Sequence, residues 1–195
     1  MSAGFHYDVN PSAVQEEICD VRTLHHKAGP YKLVDDSLSK GMVLPRFTPV
    51  AANLINRTCV VVKNVKVVED ADDTATKIKV AKNSLVKEGM TLGTGKKGAV
   101  VSAIDKTNAA YDEITVSAAF GEAVKAGQVL FEASAAGGTK PKNVANFVIY
   151  EQTKIDDGIN LVALIMQAYE IHEEKLVLPF SDADKEGLTS RFQFE

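Results

Sequence analysis

The sequence predicts a mainly β protein. It is expected to be a small β-barrel or sandwich built from a duplicated strand-turn-strand unit, with an N-terminal helix and extended arm and a C-terminal β-hairpin plus short helix. Three observations carry this. Residues 78–92, IKVAKNSLVKEGMTL, are echoed by residues 114–130, ITVSAAFGEAVKAGQVL. Ile78, Val80, Val86, Lys87, Gly89 and Leu92 match Ile114, Val116, Val124, Lys125, Gly127 and Leu130. From Thr58 onward the chain is rich in β-branched residues, which suit a pleated, half-buried surface. Its apolar runs are short and bounded by Gly, Asn and Asp, as in an all-β fold. Three parts follow: residues 1–57 as helix and arm, 58–134 as the duplicated module, and 135–195 as a C-terminal segment for oligomerisation or attachment.

The first element is a short helix within residues 1–22. Asn10 is placed as its N-cap, Pro11 at the first helical position, and Glu16 and Glu17 follow early. Val14, Ile18, Val21 and Leu24 recur at helical spacing and form one apolar stripe. A helix this short is marginal alone and has to dock on something. Residues 25–57 hold three of the six prolines and no sustained periodicity, so they read as an extended arm or long loop, with short strands near 41–51.

CVVVKNVKVVED then opens the β module, and ADDTATKIKVA follows an acidic turn. GAVVSAIDK, DEITVSA and QVLFEAS complete it. The two copies of the repeat are expected to be related by a pseudo-twofold, with Gly89 and Gly127 in equivalent turns. Ala135-Ala136-Gly137-Gly138-Thr139 reads as a hinge. Beyond it, NFVIYEQTKI and NLVALIMQAYEIHEEK flank the Asp156-Asp157-Gly158 turn and read as a hairpin with a long second strand. These apolar runs look too extensive to bury within so short a tail, which points to a symmetry mate. Ser181 is placed as the N-cap of a short helix over DADKEGLTS, and FQF as a final strand.

Composition bounds the function. The chain has 195 residues, 45% hydrophobic, no Trp and 7% aromatics, so its core is built from Val, Ile, Leu and Ala. No apolar run approaches a transmembrane helix and no secretory signal is read. The net charge of −4 lies in the segment from residue 140 on. A basic patch for nucleic acid is not visible, and neither nucleic acid nor membrane is expected as a partner. Cys19 and Cys59 have no paired spacing and read as reduced, buried thiols, consistent with assembly in a cytoplasm.

The motifs that resemble chemical sites are weak. His25-His26 lacks a supporting carboxylate or Cys for a metal site. Glu69-Asp70-Ala71-Asp72-Asp73 lacks the alternation and Gly of a calcium loop and reads as a charged turn. Gly93-Thr94-Gly95-Lys96-Lys97-Gly98 lacks the hydroxyl residue and helix of a phosphate loop. No nucleophile-base pairing is found. The sequence therefore assigns no catalytic, cofactor-binding or metal-ligating residues, and the protein is expected not to be an enzyme.

A looser pattern runs through most of residues 40–195. Lys40 and Gly41 lead into Leu44, Pro45, Thr48 and Pro49, a Val-rich strand and the repeat. KPKNVANFVIY at 140–150 and a closing LPFSDADKEGLTSRF follow. Taken together the chain resembles the head fiber and capsid decoration proteins of tailed bacteriophages, especially phages infecting Bacteroidales. The resemblance implies a structural virion protein on the capsid exterior that braces capsomers or anchors a head fiber, assembled in the host bacterial cytoplasm. It implies a homo-oligomer, a trimer before a dimer, bound to the major capsid protein or another head protein. The competing reading is a β-barrel binding module for a receptor or glycan on a phage tail or baseplate. The absence of Trp argues against that reading, because sugar sites favour exposed aromatic platforms.

Overall fold

The computed structural model describes residues 17–135, 137 and 139–195. Before the duplicated unit stand β1 (His25–His26), β2 (Tyr31–Leu33), β3 (Val43–Leu44), β4 (Pro49–Asn53) and β5 (Thr58–Val61). The unit itself holds β6 (Asn64–Lys66), β7 (Lys77–Val80), β8 (Thr91–Gly93), β9 (Gly98–Asp105), β10 (Asp112–Val116) and β11 (Val129–Glu132). The C-terminal segment adds β12 (Phe147–Ile149), β13 (Thr153–Lys154), β14 (Leu161–Val162), β15 (Leu164–Ile171), α1 (Asp182–Leu188) and β16 (Phe192–Phe194). The mainly β expectation holds, and so do the Ser181-capped helix, the long strand after the Asp-Gly turn and the final FQF strand.

The duplication is a structural one. Strands β6-β11-β8-β9-β10-β7 form a six-stranded antiparallel sheet. Its I-x-V segments pair with each other, Ile78 directly opposite Ile114, so a pseudo-twofold passes through that pair. The same operation takes β6 to β9 and β8 to β11: Val65 faces Leu130 as Ala99 faces Leu92. The two turns agree bond for bond. The Gly89 N–H donates to the Val101 carbonyl and the Gly127 N–H to the Val67 carbonyl, both at 2.8 Å. The Lys87 N–H donates to Met90 Sδ (3.3 Å), and the Lys125 N–H to Gln128 Oε1 (3.1 Å). Gly89 and Gly127 have φ of 84° and 88°. A Cβ on either would meet nothing within 4 Å, so the backbone dihedral alone selects glycine.

This sheet does not close into a barrel. Its end strands meet only at the isolated bridge Val67–Val80 and adjoining backbone hydrogen bonds. Short β6 stops at Lys66, and the acidic turn takes the chain away before a ladder can form on β7. A self-contained core fills the sheet, with Val65, Ile78, Leu92, Ile114, Val124 and Leu130 all at most 2% exposed.

The arm is not an arm. Residues 25–53 supply β1, β2, β3 and β4, and all but β3 enter an eight-stranded sheet in the order β1-β15-β12-β4-β5-β2-β14, with β16 on β15. β5 pairs with β4 and β2 there, not with the duplicated unit. β3 pairs with β13 instead. Prolines sit where they cost little: Pro30 precedes β2, Pro45 follows β3 and Pro49 opens β4. This sheet curls but does not close either. Its ladders break between His26 and Tyr31 on one segment and at Ala163 on the other.

Both faces of the eight-stranded sheet are covered. Tyr31, Leu44, Val61, Phe147, Ile149 and Leu164 fill one side. Phe47, Val148, Ile165, Ile171, Leu188 and Phe192 fill the other, beneath α1 and β16. Alternate residues of one strand thus serve different cores, which is why NFVIY reads as an unbroken apolar run. Its Phe147, Val148 and Ile149 are buried within the same chain, as are Leu164 and Ile165, so these runs do not need a symmetry mate.

The expected cap residues Asn10 and Pro11, and Val14 and Glu16, lie outside the described residues. Where the helix would continue there is only a 3-10 turn, Val21–Thr23, capped by Asp20. Backbone pairing to the end of β15 replaces helical bonds: the His172 N–H donates to the Ile18 carbonyl and the Asp20 N–H to the Tyr169 carbonyl. Ile18 and Leu24 pack on the core while Val21 is half exposed. At the expected hinge Ala133 and Pro141 form an isolated antiparallel bridge, and residues 136 and 138 lie outside the described set.

Candidate functional site

The residues that drew attention in the sequence lie apart. His25 and His26 are exposed on β1, and the His26 ring meets Tyr150 edge-on with centroids 4.2 Å apart. Among the described residues no three His, Cys, Asp or Glu side chains gather as a metal ion would require. The acidic stretch is a turn whose carboxylates are used locally. Asp70 accepts the Ala126 N–H (2.8 Å) and Lys125 Nζ (2.9 Å), which hold its carboxyl below the usual range. Glu69 pairs with Lys79. The Gly-Thr-Gly-Lys-Lys-Gly run is the β8–β9 hairpin, where Lys96 pairs with Glu122 and a strand follows in place of a helix. Cys19 and Cys59 are free and buried. Burial pushes both thiols up, Cys59 to about 12.

What the fold does gather is two buried polar clusters at the junction of the two sheets. In the first, Lys63 leaves the Val run between β5 and β6 and its side chain is 4% exposed. Its Nζ lies 2.9 Å from Asp35 Oδ2 and 3.6 Å from Glu132 Oε2. The Asp35 side chain is likewise 4% exposed and that of Glu132 9%. The other Asp35 oxygen accepts the Ser37 N–H (3.0 Å) and hydroxyl (2.6 Å). Burial raises the Asp35 carboxyl, but the bonds from Lys63 and Ser37 outweigh it and hold the group below its ordinary value. Glu132 Oε1 takes Lys142 at 2.9 Å, while its Oε2 has no hydrogen-bond partner. Nearby, Lys87 Nζ of the first repeat turn donates to the Ser37 carbonyl, and Leu85 inserts into the core of the eight-stranded lobe.

The second cluster centres on Asp184, which is fully buried. Its Oδ2 accepts the Ser181 N–H (3.0 Å), the Ser181 hydroxyl (2.5 Å) and Asn64 Nδ2 (2.7 Å). Its Oδ1 accepts the Ala145 N–H at 2.7 Å. Four donors satisfy the carboxylate without a cation, and the capping box doubles as a tie between α1 and β6. Gly187 lies against the same spot, where a Cβ would come within 2.5 Å of the Ala145 carbonyl oxygen.

Sequence reasoning missed both clusters because their members are far apart along the chain. Lys63 and Asp35 are 28 residues apart, Asn64 and Asp184 120. One signal was present: a Lys-Asn pair interrupting CVVVKNVKVV, where polar residues inside an apolar strand run need buried partners.

Against this geometry the comparison with known families is decisive. The sequence pattern of the phage head fiber proteins matches residues 1–192. The chain belongs to that family. The match spans both sheets and the polar junction, so the whole described fold is what this head fiber protein brings to its function. No curated protein and no solved structure matches the chain. As a member of the family it is a structural component of a bacteriophage virion. Among its described residues no helix is long and apolar enough to cross a membrane.

Proposed function

We propose that this head fiber protein attaches to the outside of the phage capsid, where it braces capsomers or anchors a fiber, and that it does so as a homotrimer. The family match over residues 1–192 carries the reading. Large apolar side chains left in water support it: Ile55 is 93% exposed, Ile159 70% and Leu161 56%. Ile55 sits at the β4–β5 tip, a turn pinned by Asn53 Oδ1, which accepts the N–H groups of Ile55 and Asn56. A pinned turn presents its side chain to a partner without a large ordering cost. The partner is the major capsid protein or another head protein, and three copies in a closed ring cover what one copy leaves bare.

Light scattering of the purified chain and electron cryomicroscopy of virions carrying a tagged copy test this. A trimer in solution and tag density on the head surface are expected. A monomer at micromolar concentration removes the ring, and density on the tail or baseplate replaces head attachment with the adhesion role.

A further inference from the structure

We propose that Lys63 and Asp35 condense into an intramolecular amide, with Glu132 as the proton carrier. The arrangement is a reactant complex as much as an ion pair. A buried amine rests 2.9 Å from one oxygen of a buried carboxylate. A second buried carboxylate stands 3.6 Å from the same nitrogen, and the oxygen that faces it is otherwise unpartnered. The remaining Asp35 oxygen is held by two donors of Ser37, the place where charge builds when a carboxyl carbon becomes tetrahedral. Fixed proximity of this kind replaces the activation that amide formation needs in water. The Lys63 and Asp35 side chains are each 4% exposed, which weakens the hold of solvent on both charges and favours the neutral product.

The step balances without a further reagent. Glu132 Oε2 takes one proton from the Lys63 ammonium, leaving an amine. Glu132 hands that proton to Asp35 Oδ2, and the amine's lone pair then forms the new bond to Cγ of the neutral carboxyl. The nitrogen then gives up a second proton, again through Glu132, and the C–Oδ2 bond breaks with its electron pair on oxygen. One ammonium and one carboxylate become one amide and one water, and Glu132 ends as it began. Lys142, 2.9 Å from the far oxygen of Glu132, keeps that side chain turned toward the amine. The cross-link ties the loop after β2 to the crossing between β5 and β6, where the chain passes from one sheet to the other.

The test is the intact mass of the purified full chain, measured under denaturing conditions after folding. The expected mass is lower than the sequence mass by one water, with a branched proteolytic peptide joining the segments that carry Asp35 and Lys63. Lys63→Arg and Asp35→Ala are expected at full mass, and Glu132→Gln at full mass when harvested alongside the native chain. A native chain at full mass overturns the proposal, whatever the variants do. A lost water that maps to Asp157-Gly158 and returns in mild alkali is a cyclic imide and also overturns it. Condensation in Glu132→Gln at the native rate overturns the role of Glu132.

Discussion

Cys59 shows what a single buried group contributes. It lies 1% exposed in the core of the eight-stranded sheet, and burial lifts its thiol from 9.0 to about 12. An unfolded chain ionises this thiol near its ordinary value, whereas the folded chain keeps it neutral. The stability it supports is therefore complete below pH 9 and is withdrawn as the pH rises toward 12, at a slope of no more than about 1.4 kcal/mol per pH unit. Denaturant midpoints across that range should fall less steeply in Cys59→Ala than in the native chain. In native buffer at pH 8 both cysteines should resist alkylation and react only after unfolding. Gly89 and Gly127 act through the backbone, and alanine at either is expected to cost about 1–2 kcal/mol in a chemical melt. Equal losses at the two sites would match the symmetry of the turns. Gly187→Ala belongs to another class, because its Cβ meets a carbonyl oxygen at 2.5 Å and the Asp184 node must shift to admit it. It is expected to lower the melting temperature more than either turn substitution.

At the scale of elements, β2 reverses what the arm seemed to be. Lys32 and Leu33 pair in parallel with Thr58 and Cys59, and Tyr31 is 2% exposed, so the strand is interior to its sheet. Deleting residues 1–39 removes β1 and β2 together and is expected to leave an insoluble or protease-sensitive chain, where a free arm would leave a folded core. Limited proteolysis and far-UV circular dichroism of the truncated protein decide it. Elements that depend on neighbours in sequence were legible beforehand. The repeat turns, the Ser181 cap, the Asp156-Asp157-Gly158 turn and the closing strand each carry their own local chemistry. β1 and β2 were not legible, because two- and three-residue strands have no periodicity to show and are made by their partners β14, β15 and β5. The buried clusters were hidden for the same reason. Asp35 reads as a loop residue until the fold sets it against Lys63, and only the Lys-Asn interruption hinted that something polar lay inside.

For the whole molecule, the duplicated unit stands as a body of its own. Its core draws only on residues between Val65 and Leu130. Residues 63–133 expressed alone are therefore expected to fold and to melt cooperatively, with slow amide exchange at Ile78, Val80, Ile114 and Val116. Leu130→Ala within the full chain should cost about 2–5 kcal/mol and destabilise this body before the other. The chain enters it through β6 and leaves through the antiparallel neighbour β11, with the Glu132 N–H donating to the Lys63 carbonyl at the neck. That neck sets how the chain bears tension. Tension arriving along the backbone is bridged at the neck by neighbouring strands and never has to cross the six-stranded sheet. The six-stranded sheet is thereby relieved of a pull along the chain, and its loops away from Leu85 and Lys87 are free to change length without breaking the strand pairing at the neck.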